Sequence, residues 1–242
     1  MKIAIYGDSF GCINTKWDHS MANLGPGPSW IEMLEETNEI TNYSISGTAF
    51  MFSYERFLKH HKEHDLNIFI VTNPQRIYIK ALDGVKMFGS EWAELEHNRI
   101  KKMPWYGRRD VHLEILKSVK TYLELWADFE MIEHTQHILV SNMWNIAPNT
   151  LIVPGFSNSI EQASCGLHDL AMHELKLADE EGFYKFDFNY MQCKRQCHFS
   201  KENNQVVYEI IKQSIENKEK FVGFDVSRML VPPNKDIFYY IK

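Results

Sequence analysis

The chain has 242 residues, 44% of them hydrophobic and 24% charged, with a formal net charge of −6, which excludes wholesale disorder and argues against a dedicated nucleic-acid binder. No apolar run approaches the length of a membrane span and Met1 leads straight into a predicted strand, so neither a signal peptide nor a transmembrane segment is expected. Four cysteines, Cys12, Cys165, Cys193 and Cys197, are few for a disulfide scaffold of this length and fit a reducing compartment.

Lys2 to Tyr6 is a short apolar, β-branched run that reads as a buried strand, followed by turn chemistry in Gly7-Asp8-Ser9. A serine on such a turn, at the carboxyl end of a strand, can offer both a nucleophilic hydroxyl and a backbone N–H as an oxyanion donor; the plain alternative is an ordinary βα turn capped by Asp8 or Ser9. Cys12 to Pro28 is a Gly, Pro and Asn-rich loop. Ser29 is a predicted N-cap with Glu32 completing a capping box. Glu39 to Ser44 is a second strand, after which Gly47 precedes a helical pattern from Phe50 to His64. Asn67 to Thr72 is a third, almost wholly apolar strand that ends at Asn73-Pro74.

The segment from about 75 to 110, with scattered aromatic and basic residues, reads as an insertion that is either a substrate-facing lid or a packed excursion. Asp110 to about Ile146 has helical spacing and fits one long helix or two joined near His134. Thr150 to Val153 is a fourth strand, and Leu167 to Leu177 can form a short helix. Ser200 caps a helix running to about Asn217, which leaves His198 on the loop before it. Phe221 to Lys242 is an added edge strand or a packing arm. Strand and helix alternate throughout, so the expected fold class is α/β, with a mostly parallel sheet in a three-layer α/β/α arrangement of flavodoxin-like order.

Ser9, Gly47, Asn73 and His198 thus fall at the ends of elements that a parallel sheet brings to one edge, and together they meet the needs of acyl transfer: a nucleophile, a base and oxyanion donors. The pattern resembles the SGNH, or GDSL-like, hydrolase superfamily. Gly7-Asp8-Ser9-Phe10 resembles its first block, Asn42 through Gly47 its second, Val71-Thr72-Asn73 its third and His198 before a helix its last; NYSISGTAF and IFIVTNPQR look similar to members encoded by tailed bacteriophages and some bacteria. The resemblance implies Ser9 as nucleophile, His198 as general base, and an oxyanion hole of the Ser9 and Gly47 N–H groups with the Asn73 side chain. It further implies a domain over residues 1–220 with an arm at 221–242, and a serine esterase that hydrolyses a small, acetyl-like ester, carried for instance on a glycan, without metal or cofactor.

Three departures qualify it. Where the family carries aspartate three residues before the histidine, this chain has Arg195, so Ser9 and His198 act as a dyad or another acceptor, such as Asp187 or a backbone carbonyl, orients the imidazole. Arg195 close to His198 would also disfavour the imidazolium. Pro74 stands in place of the usual aspartate of the third block.

A competing reading is a non-catalytic SGNH-like module for binding or virion assembly, docking a neighbour or a second copy through its aromatic arm. Expected partners are therefore an ester substrate or such a neighbour, with no nucleic acid and no membrane, and the expected location is the cytoplasm or a virion. Cys193, Cys197 and His198, with Cys165 and His168, also invite a metal reading, but the C-x3-C spacing lacks the paired knuckles of zinc sites and free thiols are the plainer account. A dinucleotide site fails because the first turn has no G-x-G-x-x-G.

Overall fold

The computed structural model describes residues 1–12, 28–74, 76, 94, 97–98, 100–102, 109–125, 127–157, 159–161, 163–180 and 199–230. Strand β1 (Lys2–Tyr6) pairs in parallel with β2 (Glu39–Asn42) on one side and β3 (Leu66–Val71) on the other, and β3 pairs in parallel with β4 (Thr150–Pro154). The order β2-β1-β3-β4 is the flavodoxin-like one expected, and it reverses direction between β1 and β3.

The inner strands are apolar on both faces because both faces are covered. Side chains alternate along a strand, so Ile3, Ile5, Ile68, Ile70, Leu151 and Val153 enter one layer while Ala4, Tyr6, Phe69, Val71 and Ile152 enter the other. The first layer is closed by α1 (Trp30–Glu35), α5 (Leu167–Glu180) and α6 (Lys201–Glu216), through Trp30, Leu34, Leu170 and Val207 among others. The second is closed by α2 (Phe50–His60) and α4 (Phe129–Ile146), through Phe50, Phe57, Val140 and Met143. The protein is therefore a three-layer α/β/α fold. A satellite cluster around Leu116 and Leu123 belongs to α3 (Arg109–Leu125).

Local signals act where they were read. Ser29 and Glu32 form the capping box of α1, with both reciprocal bonds present, and the Ser200 hydroxyl accepts the Asn203 N–H at the head of α6. Two boundaries differ from expectation. β2 is regular only to Asn42, although the Tyr43 and Ile45 N–H groups still donate to the Ile5 and Gly7 carbonyls; from there the Asn42 side chain shapes the turn, its Oδ1 accepting the Ser44 N–H at 2.9 Å and its Nδ2 donating to the Gly11 carbonyl at 2.7 Å. The stretch to Ile146 forms two helices, but they join before Asp128 and not near His134, with Asp128 capping α4 through the Met131 N–H at 2.9 Å. Hydrophobic periodicity hides this break because Leu123 and Phe129, on either side of it, pack into the same cluster.

At its start the carboxyl-terminal segment behaves as an edge strand: Phe221 bridges Ile152 in parallel, and Val222, Phe224 and Met229 are buried in the first layer. Residues 231–242, and most of the insertion expected at 75–110, lie outside the described residues. Among the described residues, no helix is long and apolar enough to cross a membrane.

Candidate active site

Ser9 opens a single 3-10 turn, Ser9–Gly11, at the carboxyl end of β1. The turn is held from within by Asp8, whose Oδ1 accepts the Phe10 N–H at 3.1 Å, and it is entered through Gly7 at φ 156°. A side chain at Gly7 would also place its Cβ 2.7 Å from that of Ile70, so both conformation and packing require glycine there. Ser9 is half-buried, and among the described residues its hydroxyl and its N–H make no hydrogen bond.

Two further loops converge on this turn from the neighbouring strands. Beyond β2, Gly47 takes a left-handed conformation at φ 65°, and the loop is fastened to the Gly7 carbonyl by the Thr48 hydroxyl at 3.2 Å and to the same atom by Ser53 of α2, also at 3.2 Å. The Gly47 N–H, like that of Ser9, has no hydrogen-bond partner among the described residues. Beyond β3, Thr72 donates its hydroxyl to Asp8 Oδ2 at 2.9 Å, and Asn73, half-buried, accepts the Arg76 N–H on its carbonyl at 3.1 Å. Ser9, Gly47 and Asn73 are thus brought to one edge of the sheet, beside the point where strand order reverses.

A buried ion pair locks that edge. Arg76 donates from Nη1 to Asp8 Oδ2 at 2.6 Å, with 8% and 0% of the two side chains exposed, and the same nitrogen lies 3.4 Å from the Thr48 carbonyl. One guanidinium therefore ties together loops that follow three different strands. Its other face lies over the Phe156 ring, 5.2 Å from the centroid. Gln136 adds a fourth connection, donating from Nε2 to the carbonyls of Thr72 and Ser159 at 3.0 Å each.

Asp8, Thr72 and Arg76 were not singled out by sequence reasoning as a unit. The signal available was slight: an arginine three residues past Asn73 and an aspartate that local turn chemistry already explains.

His198, Asp187 and Arg195 lie outside the described residues. Phe199, the residue after His198, is buried against Phe10, with ring centroids 5.9 Å apart, and Ser200 caps α6. Helix α6 is tied to the Ser9 turn through α1, since Asn204 accepts the Trp30 N–H at 3.2 Å and the Trp30 indole donates to the Phe10 carbonyl at 3.0 Å.

A second histidine, His168, stacks on Phe156 at 4.8 Å and meets the Phe10 ring edge-on at 6.4 Å. Burial lowers its pKa and the Arg76 cation lowers it further, against the opposing pull of Asp169 and Asp8, so the imidazole is neutral near pH 7. Cys12 is no rival nucleophile, because burial and the Asp8 carboxylate push its thiol far above the usual range, outweighing the Ser46 N–H, and keep it protonated.

Cys165 is a buried free thiol, raised by burial to about 11. Among the described residues, no group of three or more His, Cys, Asp or Glu side chains is arranged to hold a metal ion. Cys193 and Cys197 lie outside them. Set against known proteins, the chain matches no family model and no curated sequence.

Proposed function

We propose that this protein is a serine esterase or deacylase of the SGNH type. Ser9 Oγ attacks the acyl carbonyl while His198 takes its proton. The oxyanion is met by the N–H groups of Ser9 and Gly47 and by the Asn73 side chain, and the departing alcohol leaves with the proton from His198. Water, deprotonated by the same imidazole, then releases the acid and restores the serine.

The observation that carries this reading is the convergence at the edge of β1, β2 and β3. Among the described residues, a serine with an uncommitted hydroxyl, two backbone N–H groups without partners and an asparagine are fastened to one another through the Gly7 carbonyl and the Asp8 carboxylate. Donors held this way need no reorganisation when charge develops, which is the source of oxyanion-hole catalysis. A small acyl group, acetyl-like and on a glycan, is the substrate class that the SGNH resemblance suggests.

The test is intact-mass analysis after incubation with a fluorophosphonate. A single adduct that maps to Ser9 and is lost in Ser9→Ala and His198→Ala is the expected result, with acylated glycans as the next substrates to screen. Arg195, at the position where the SGNH pattern has aspartate, favours a second reading in which the fold is kept as a binding or virion-assembly module. A folded wild-type protein that forms no adduct would leave that reading in place of the esterase.

A further inference from the structure

We infer that Gln136 of α4 is a positioning residue for the oxyanion hole: its side-chain amide fixes the peptide unit that precedes Asn73 and so aims the Asn73 side chain. The inference rests on the reading of Asn73 as an oxyanion donor.

Gln136 stands where an apolar residue is expected. It shares the buried stripe of α4 with Val140 and Met143, four and seven residues on, and is itself 4% exposed. A primary amide is disfavoured at such a position unless it is hydrogen-bonded. Its Nε2 donates to the Thr72 carbonyl and to the Ser159 carbonyl, at 3.0 Å each, which engages both amide protons. The two carbonyls belong to the loops that follow β3 and β4, at the edge of the sheet where Ser9 sits. Val140 and Met143 supply the apolar contacts that close the second layer, so the amide at position 136 is explained by what it holds.

The ladder between β3 and β4 ends with the Gly155 N–H on the Val71 carbonyl at 2.9 Å. Thr72, the next residue, is buried, and Gln136 gives its carbonyl the donor that the ladder no longer can. The Thr72 hydroxyl is at the same time engaged by Asp8 at 2.9 Å. On the other side of Asn73, the Arg76 N–H holds the Asn73 carbonyl at 3.1 Å, and Pro74 biases the Asn73 backbone away from the helical region. The peptide units on both sides of Asn73 are thereby fixed, and the side chain is left its own two torsions. Ser159 closes the frame, because its N–H and hydroxyl both donate to the Phe156 carbonyl, at 3.0 and 2.6 Å, and the Phe156 ring faces Arg76. A donor framed in this way needs no reorganisation as the oxyanion forms.

The test is a kinetic cycle on an activated acetyl ester. Gln136→Met keeps the volume and removes the donor, and it should lower kcat by roughly 10–10²-fold with KM unchanged. In an Asn73→Ala background the same substitution should cost less than about twofold, because the group it positions is already gone. A residue needed for stability alone would slow both backgrounds alike; that result would overturn the inference, as would an unchanged kcat in a folded Gln136→Met protein. The 15N spectrum of full-length protein labelled at asparagine and glutamine gives a readout independent of turnover. There Gln136→Met should move the Asn73 side-chain signals, assigned by their loss in Asn73→Ala, and leave those of the exposed Asn217 in place. If the wild type cleaves no ester and the Asn73 signals move, the esterase reading falls and the Gln136 assignment stands; if they stay in place, the assignment falls as well. Should Gln136→Met fail to fold, Gln136→Glu, similar in shape but without the donor, serves in the same cycle. Wild-type Gln136 side-chain protons that exchange with solvent as fast as those of the exposed Gln205 would overturn the inference on their own.

Discussion

Replacing Arg76 with methionine removes the cation from a pair in which Asp8 is wholly buried. The methionine fills much of the same volume, so the main loss is electrostatic: Asp8 keeps the Phe10 N–H and the Thr72 hydroxyl but loses its only charged hydrogen-bond donor among the described residues. Breaking a buried pair from one side costs about 3–5 kcal/mol, and two surviving hydrogen bonds place this case near the lower end, about 3 kcal/mol. For a chain of this size that is a fall in Tm of roughly 6–10 °C. Chemical denaturation of Arg76→Met, Asp8→Asn and the double variant measures it directly. The double variant leaves no uncompensated charge, so its cost should fall short of the sum of the single costs by about 2 kcal/mol. Strictly additive losses, or a single-variant cost below about 1 kcal/mol, would refute the argument that this pair holds the three loops together.

Asn73→Ala removes one proposed oxyanion donor and should slow Ser9-dependent ester cleavage by about 10²-fold through kcat with KM little changed, as steady-state kinetics on an activated acetyl ester would register. The neutral His168 predicts a pH effect on stability. Its folded-state pKa lies below the unfolded value near 6.5, so the unfolded chain binds more protons at mildly acid pH; the stabilisation is complete above about pH 6.5 and is lost as pH falls toward the folded-state value. Replacing His168 with phenylalanine, which preserves the stack on Phe156, should flatten this part of the Tm profile between about pH 5 and 7, and identical wild-type and variant slopes would count against it.

Much of the fold was legible because its signals are local. The short run Lys2 to Tyr6, with β-branched Ile3 and Ile5, the Ser29 and Glu32 pair and the Ser200 cap each act within a few residues of where they are written, and the alternation of strands with helices restricts the sheet to few orders. The Gly-Asp-Ser turn, Gly47 and Asn73 were visible for the same reason: turn chemistry at a strand end names the edge on which a parallel sheet gathers them. The helix break at Asp128 was misplaced because periodicity measures which face is buried, and that face continues across the break.

Partnership across the chain was not legible. Asp8 and Arg76 are 68 residues apart, and Ser200 and Glu174 are 26 apart on different elements. Nothing in a heptad or a strand pattern separates a buried Glu174 from the exposed Glu180 on the same helix. Hydrophobic burial positions the layers, and only then does each carboxylate meet its donors. The amino-acid sequence by itself thus determined the elements, their order and the edge at which Ser9 sits. Tertiary structure decided which charges are taken out of water there, because desolvation belongs to a place in the packed fold and to no residue type.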